Sequence, residues 1–122
     1  MDEKWLARFR EMAQQWAMHS SCLRRKVGAV LVEPRYKAVL QVAYTGTPQG
    51  WPSCNAGGCQ VCSSDPPASA KLDCNCIHAE MNALLLAGRR GIAFEGTLMI
   101  ITEEPCPACQ KHMTQGGVTW TT

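Results

Sequence analysis

Apolar residues at the start of the chain return every third or fourth position: Trp5, Leu6, Phe9, Met12, Ala13, Trp16 and Ala17, with Lys4, Arg8, Glu11 and Gln15 between them. That period predicts a surface helix with one buried face from Asp2 to about Ser20. The pattern then changes. Val27–Val32 is a short apolar run containing β-branched residues, Glu33-Pro34-Arg35-Tyr36 supplies turn chemistry, and Ala38–Tyr44 is a second run, so a β-hairpin is predicted. Residues 45–75 hold most of the Gly, Pro, Ser and Asn without a sustained period and read as a long loop. Loops of that length in compact domains are usually functional or cross-linked.

Beyond the loop, Ile77 to about Gly88 reads as a largely buried helix carrying Met81, Ala83, Leu84, Leu85, Leu86 and Ala87, with Gly88 as its stop. Thr97–Thr102 is a third strand. Pro105-Cys106-Pro107 opens a shorter helix to about Thr114, since proline is tolerated in a first turn. Gly116-Gly117 ends it and Val118–Thr122 is a fourth strand. The order α-β-β-α-β-α-β, its last two strands suited to parallel pairing across a helix, predicts an α/β sandwich around a small mixed sheet. A length of 122 residues accommodates one compact core, so a single domain over residues 1–122 is expected.

The formal net charge of +2 is too small for the dense basic field that non-specific duplex binding needs, while a small anionic substrate stays open. The apolar runs are far shorter than a bilayer crossing. The opening Met1-Asp2-Glu3-Lys4 also lacks the basic start and apolar core of a secretory signal. A cytoplasmic location with no membrane partner is the expectation. Eight cysteines then stand out, because reduced thiols in such a compartment more often bind metal than pair as disulfides. Cys106 and Cys109 lie near the C-terminus, and Cys22, Cys54, Cys59, Cys62, Cys74 and Cys76 lie upstream, so two sites are expected.

Two motif halves carry the chemistry: His78-Ala79-Glu80 and Pro105-Cys106-Pro107-Ala108-Cys109. Cys106 and Cys109 are three apart at a helix start and share a face, and His78 adds a nitrogen ligand from another helix start. Three protein ligands leave the fourth zinc position for water. Helix N-termini carry partial positive charge, which helps hold Cys106 and Cys109 as thiolates. Glu80 lies two residues after His78, nearly opposite on an ideal helix, so it reaches the metal only if the site sits over the helix's first turn. There it would take a proton from the attacking water, deliver it to a ring nitrogen and help the amine leave. Taken singly, a histidine at a helix start is more often structural, and a CxxC pair can be redox-active or half of a structural zinc site. Jointly the two halves match the signature of zinc deaminases.

With Ser21-Cys22-Leu23-Arg24-Arg25-Lys26-Val27-Gly28-Ala29-Val30, Ala43-Tyr44-Thr45-Gly46-Thr47-Pro48-Gln49-Gly50, Gly58-Cys59 and His78-Ala79-Glu80-Met81-Asn82-Ala83, nearly the whole chain resembles bacterial and phage members of the zinc-dependent cytidine/deoxycytidylate (dCMP) deaminase family. The resemblance implies a three-layer α-β-α sandwich of the cytidine deaminase type and hydrolysis of dCMP to dUMP and ammonia with Zn²⁺. It also implies a homo-oligomer, often regulated by dCTP and dTTP. Tyr44, Thr45 and Ala79 are expected to line the substrate pocket. Arg24 and Arg25 are phosphate candidates because guanidinium forks suit phosphate oxygens, although surface arginines at such a junction are common.

Three features depart from the family pattern. Thr45 stands where an Asn usually contacts the sugar, the chain stops at Thr122 where relatives continue with a helix and often a fifth strand, and Glu103-Glu104 precedes Pro105. Family cysteines recur at the positions of Cys22, Cys54, Cys59 and Cys74, which implies a second, structural zinc there. Cys62 and Cys76 are alternate ligands, and free buried thiols are the competing reading. Two other functions fit less well. Deamination of a cytosine or adenine base in single-stranded DNA or RNA calls for aromatic and basic residues around the cleft, and Trp51 is the one obvious loop aromatic. A non-catalytic zinc module completed by a partner would not need Glu80.

Overall fold

A computed structural model describes residues 1–63 and 74–122. Helix α1 spans Glu3–Ala17, with the Asp2 carboxylate accepting the Trp5 N–H at 3.1 Å as N-cap and Phe9 and Ala13 on the buried face. It stops three residues before the expected Ser20. Met18, His19 and Ser20 close tight turns onto the carbonyls of Gln15, Trp16 and Ala17. The buried Ser20 hydroxyl then donates to the Thr45 carbonyl at 2.6 Å, which ties the end of the helix to the start of the long loop.

The hairpin forms as predicted from β1 (Gly28–Glu33) and β2 (Ala38–Tyr44). Its turn is closed by the Tyr36 N–H on the Glu33 carboxylate at 2.7 Å, with Lys37 in the left-handed region at φ 55. Strand β1 also pairs antiparallel with β3 (Thr97–Ile101), and β3 pairs parallel with β4 (Val118–Thr121), giving the order β2-β1-β3-β4. The mixed sheet is therefore as expected. Being interior to the sheet, β1 has both faces covered, which is why its sequence is continuously apolar rather than alternating.

Val30 and Val32 face Phe9, Ala13 and Ile100 beneath α1. Ala29 and Leu31 face the opposite way, into a core shared with helix α3 (Ala79–Arg89) and helix α4 (Pro107–Gln115) through Ala79, Ala83, Met99, Cys109 and Met113. These are the three layers of the predicted sandwich. Gly28 is required where α1 crosses the sheet, because a Cβ there would fall 1.9 Å from the Ala13 carbonyl oxygen.

Two boundaries of α3 differ from the sequence reading. Ile77 lies outside the helix and pairs with Gly46 in an isolated antiparallel bridge, its N–H reaching the Gly46 carbonyl at 2.7 Å. Gly88 is inside the helix, and the left-handed turn falls instead at Gly91, φ 73. Thr102 leaves β3 and receives the Gly28 N–H on its hydroxyl at 3.1 Å. The long loop carries a 3₁₀ turn at Cys54–Ala56 and a short helix α2 at Gln60–Ser63; the part of that prediction covering residues 64–73 lies outside the described residues. No helix among the described residues is long and apolar enough to cross a membrane.

Candidate active site and cysteine cluster

His78 and Cys106 are the N-caps of α3 and α4, both in extended conformation (φ −62, ψ 146 and φ −68, ψ 161). Neither side chain makes the capping hydrogen bond that Ser, Thr, Asp or Asn would supply at such a position, so both are available to the site. His78 Nδ1 stands 3.5 Å from Cys106 Sγ and 3.4 Å from Cys109 Sγ. A tetrahedral zinc with its usual Zn–N and Zn–S bonds sets such atoms roughly 3.6 Å apart, so these three donors fit the ion.

The extended conformation of His78 also resolves the direction problem of Glu80. Two residues apart on a helix would point oppositely, but His78 precedes the helix, and Glu80 Oε1 comes within 3.7 Å of His78 Nδ1. Glu80 is only 3 % exposed. Burial, reinforced by Glu80 and Cys106, pushes the Cys109 thiol well above its ordinary range. A divalent cation among these groups reverses that preference, as ligation requires the thiolate.

Over these groups lies a cavity lined by Ala79, Thr45, Arg24, Arg25, Glu103 and Glu104, among others. Ala79 and Thr45 both lie on its wall. The Thr45 hydroxyl closes onto the backbone of Val27, accepting its N–H at 3.2 Å, and the residue is 4 % exposed. Tyr44 is not among the residues that line this cavity; its ring stacks on Trp16, with centroids 6.3 Å apart, beside His19.

Arg25 reaches the cavity but holds Glu103 through Nε at 2.9 Å and Nη2 at 2.5 Å. The carboxylate raises the Arg25 pKa further and offsets its charge. Glu103 and Glu104 both line the cavity while remaining exposed to solvent.

The upstream cysteines converge, though not in the expected quartet. Cys22, Cys54, Cys62 and Cys76 form one group of close sulfurs, and Cys59, Cys62, Cys74 and Cys76 form another. Cys22, Cys54, Cys59 and Cys74 do not make a group by themselves, and the two cysteines read as alternates are the ones common to both. The sequence signal for this was the spacing Cys59-x-x-Cys62 and Cys74-x-Cys76. All eight cysteines are free of disulfides. Against burial, the N–H groups of Cys62 and Asn75 and the thiols of Cys74 and Cys62 hold Cys59 down at about 6. Burial pushes Cys62 and Cys76 up.

Comparison with known proteins agrees with this chemistry. Residues 3–121 match the family described as the cytidine and deoxycytidylate deaminase zinc-binding region. The chain is 44% identical over 115 residues to a deoxycytidylate deaminase of Schizosaccharomyces pombe, covering 93% of this chain and 35% of that protein. It is 35% identical to the deoxycytidylate deaminase of Mycobacterium phage D29, covering 93% of this chain and 89% of that one. The chain thus spans little more than a third of the fungal relatives, 35% and 36% of their lengths. In three dimensions it is similar to the dCMP deaminase of the cyanophage S-TIM5 solved in complex with dCMP and dUMP, with a TM-score of 0.79 and 27% identity over 98% of this chain and 82% of that one. By the match along its length and by the zinc-binding signature its fold assembles, the chain belongs to the cytidine and deoxycytidylate deaminase family.

Proposed function

We propose that residues 1–122 act as a single deaminase domain that hydrolyses a cytosine nucleotide, dCMP to dUMP and ammonia. The observation that carries this reading is the buried Glu80 carboxylate beside the three-ligand set of His78, Cys106 and Cys109. Bound zinc supplies a Lewis acid that makes water nucleophilic near neutral pH. Glu80 sits in an enclosed site where its carboxylate accepts a proton from the incoming water and returns it to the ring nitrogen N3 of cytosine. Glu80 then takes the proton of the newly added hydroxyl and passes it to the amine, which departs as ammonia as C4 becomes a carbonyl, and the buried setting keeps bulk water from short-circuiting these transfers. Ala79, with no side chain beyond Cβ, leaves room for the base over the first turn of α3.

The structures and names of the relatives support a nucleotide over a polynucleotide substrate: one is solved with dCMP and dUMP. No Trp, Tyr or Phe lines the cavity among the described residues, so the stacking platform that single-stranded nucleic acid uses has no support there. Phosphate recognition falls to Arg24 and Arg25. Self-association and control by dCTP and dTTP accompany this reading and are checked by sedimentation with and without those nucleotides. The activity itself is tested by following ammonia release from dCMP, deoxycytidine and cytosine oligonucleotides. Turnover of dCMP above the other two is the expected result, and turnover of the oligonucleotide alone overturns the substrate assignment.

A further inference from the structure

Six cysteines lie outside the active site, and their arrangement has an internal symmetry. Cys62 and Cys76 belong to both close groups of sulfurs, Cys22 and Cys54 stand on one side of them, and Cys59 and Cys74 stand on the other. Recorded separations are 3.9 Å for Cys22–Cys62, 3.9 Å for Cys62–Cys76, 3.7 Å for Cys62–Cys74 and 3.5 Å for Cys59–Cys74. A disulfide needs sulfurs at about 2.05 Å. Tetrahedral zinc with Zn–S bonds near 2.3 Å instead sets its sulfurs roughly 3.8 Å apart, which is the spacing seen.

We propose that these six cysteines hold two divalent zinc ions in one cluster, with Cys62 and Cys76 as bridging thiolates and Cys22, Cys54 and Cys59, Cys74 as the terminal pairs. Each ion then has four sulfur ligands and no open position, which makes the cluster structural. Six thiols lose their protons on loading, and no electron is transferred. A single ion could occupy either group but would leave the opposite pair of cysteines without a role, although each pair converges on Cys62 and Cys76. The Leu23 N–H donates to Cys54 Sγ at 3.4 Å and the Arg25 N–H to Cys22 Sγ at 3.5 Å; on the other side the Asn75 N–H donates to Cys59 Sγ at 3.3 Å. These donors reach terminal sulfurs on both sides, where thiolate charge is not shared between two cations. Two divalent ions leave the cluster with residual negative charge, and Arg24 and Arg25 line the same cavity as Cys22, Cys62, Cys74 and Cys76.

The cluster is independent of turnover, so its test uses metal content. Elemental analysis of the purified chain is expected to give three zinc ions per chain, and the Cys106→Ser/Cys109→Ser variant two. One zinc in that variant overturns the shared-ligand arrangement, as does iron with inorganic sulfide, or loss of free thiols without metal. Should the variant not fold, cadmium NMR of the native chain loaded with the spin-active isotope decides. Two cluster resonances coupled to each other through the shared sulfurs are expected, and a single uncoupled one contradicts the cluster.

Discussion

At the scale of single residues, the site depends on side chains in positions where helix stability asks for others. His78 and Cys106 occupy N-caps without capping, and Glu80 is a buried carboxylate in a first helical turn. Their convergence was legible in the sequence because each motif half is local, and the one puzzle, the direction of Glu80, disappears once His78 is outside the helix. Tyr44 and Arg25 were less legible. Their surroundings are set by α1 and by the Glu103 loop, which no local spacing encodes.

Arg25 also yields a prediction. Glu103→Gln removes the carboxylate that occupies its guanidinium, and the KM for dCMP falls by up to about fivefold, a gain of ~1 kcal/mol, while that for deoxycytidine is unchanged. Steady-state kinetics with both substrates checks this; an equal change in the two would remove Arg25 from phosphate recognition. Because the pair is half exposed, Arg25→Ala shifts unfolding stability by less than about 1 kcal/mol, as thermal or denaturant melting will show.

At the scale of elements, every helix and strand of the reading exists, and the errors are at ends. Gly88 was taken as a stop, yet a helix tolerates one glycine, and Gly91 with its positive φ performs the turn. Ile77 was assigned to the helix because it is apolar, whereas its backbone pairs with Gly46 across the loop. Cysteine partnership was the least legible feature, since ligand sets form between segments far apart in sequence. The crossing of α1 over β1 predicts that Gly28→Ala lowers unfolding stability by about 1–3 kcal/mol, because the new methyl would overlap the Ala13 carbonyl and the helix must shift. Melting within a few tenths of a kcal/mol of the native chain would show the crossing to be looser than described.

Chelation acts on another element. On the proposed ligation, stripping metal with a strong chelator exposes Cys54–Ser63 to proteolysis and fast amide exchange, while β1 and β3 stay protected, because among the described residues the only apolar residue packed with the cysteines that hold that stretch is Val61. Uniform protection before and after chelation would contradict it.

At the scale of the whole molecule, three layers bring the starts of α3 and α4 together on one face of the sheet. The continuous apolar run of β1 and the amphipathic period of α1 made that layering readable in advance. Substrate identity was not readable from patterning. It depends on which charges face the cavity, and the Arg25–Glu103 pairing there emerges from contacts 78 residues apart in sequence. The fold places His78, Glu80, Cys106 and Cys109 at the starts of two helices, with Arg24 and Arg25, before β1, lining the cavity beside them.

The most direct measurement compares the zinc-loaded chain with its Glu80→Gln variant, following conversion of dCMP to dUMP and zinc content in the same samples. The native chain is predicted to turn dCMP over, and the variant to lose at least about a hundredfold in kcat while holding the same zinc per chain. Undiminished turnover in a fully zinc-loaded variant, or none in the native chain with its zinc in place, would contradict the account.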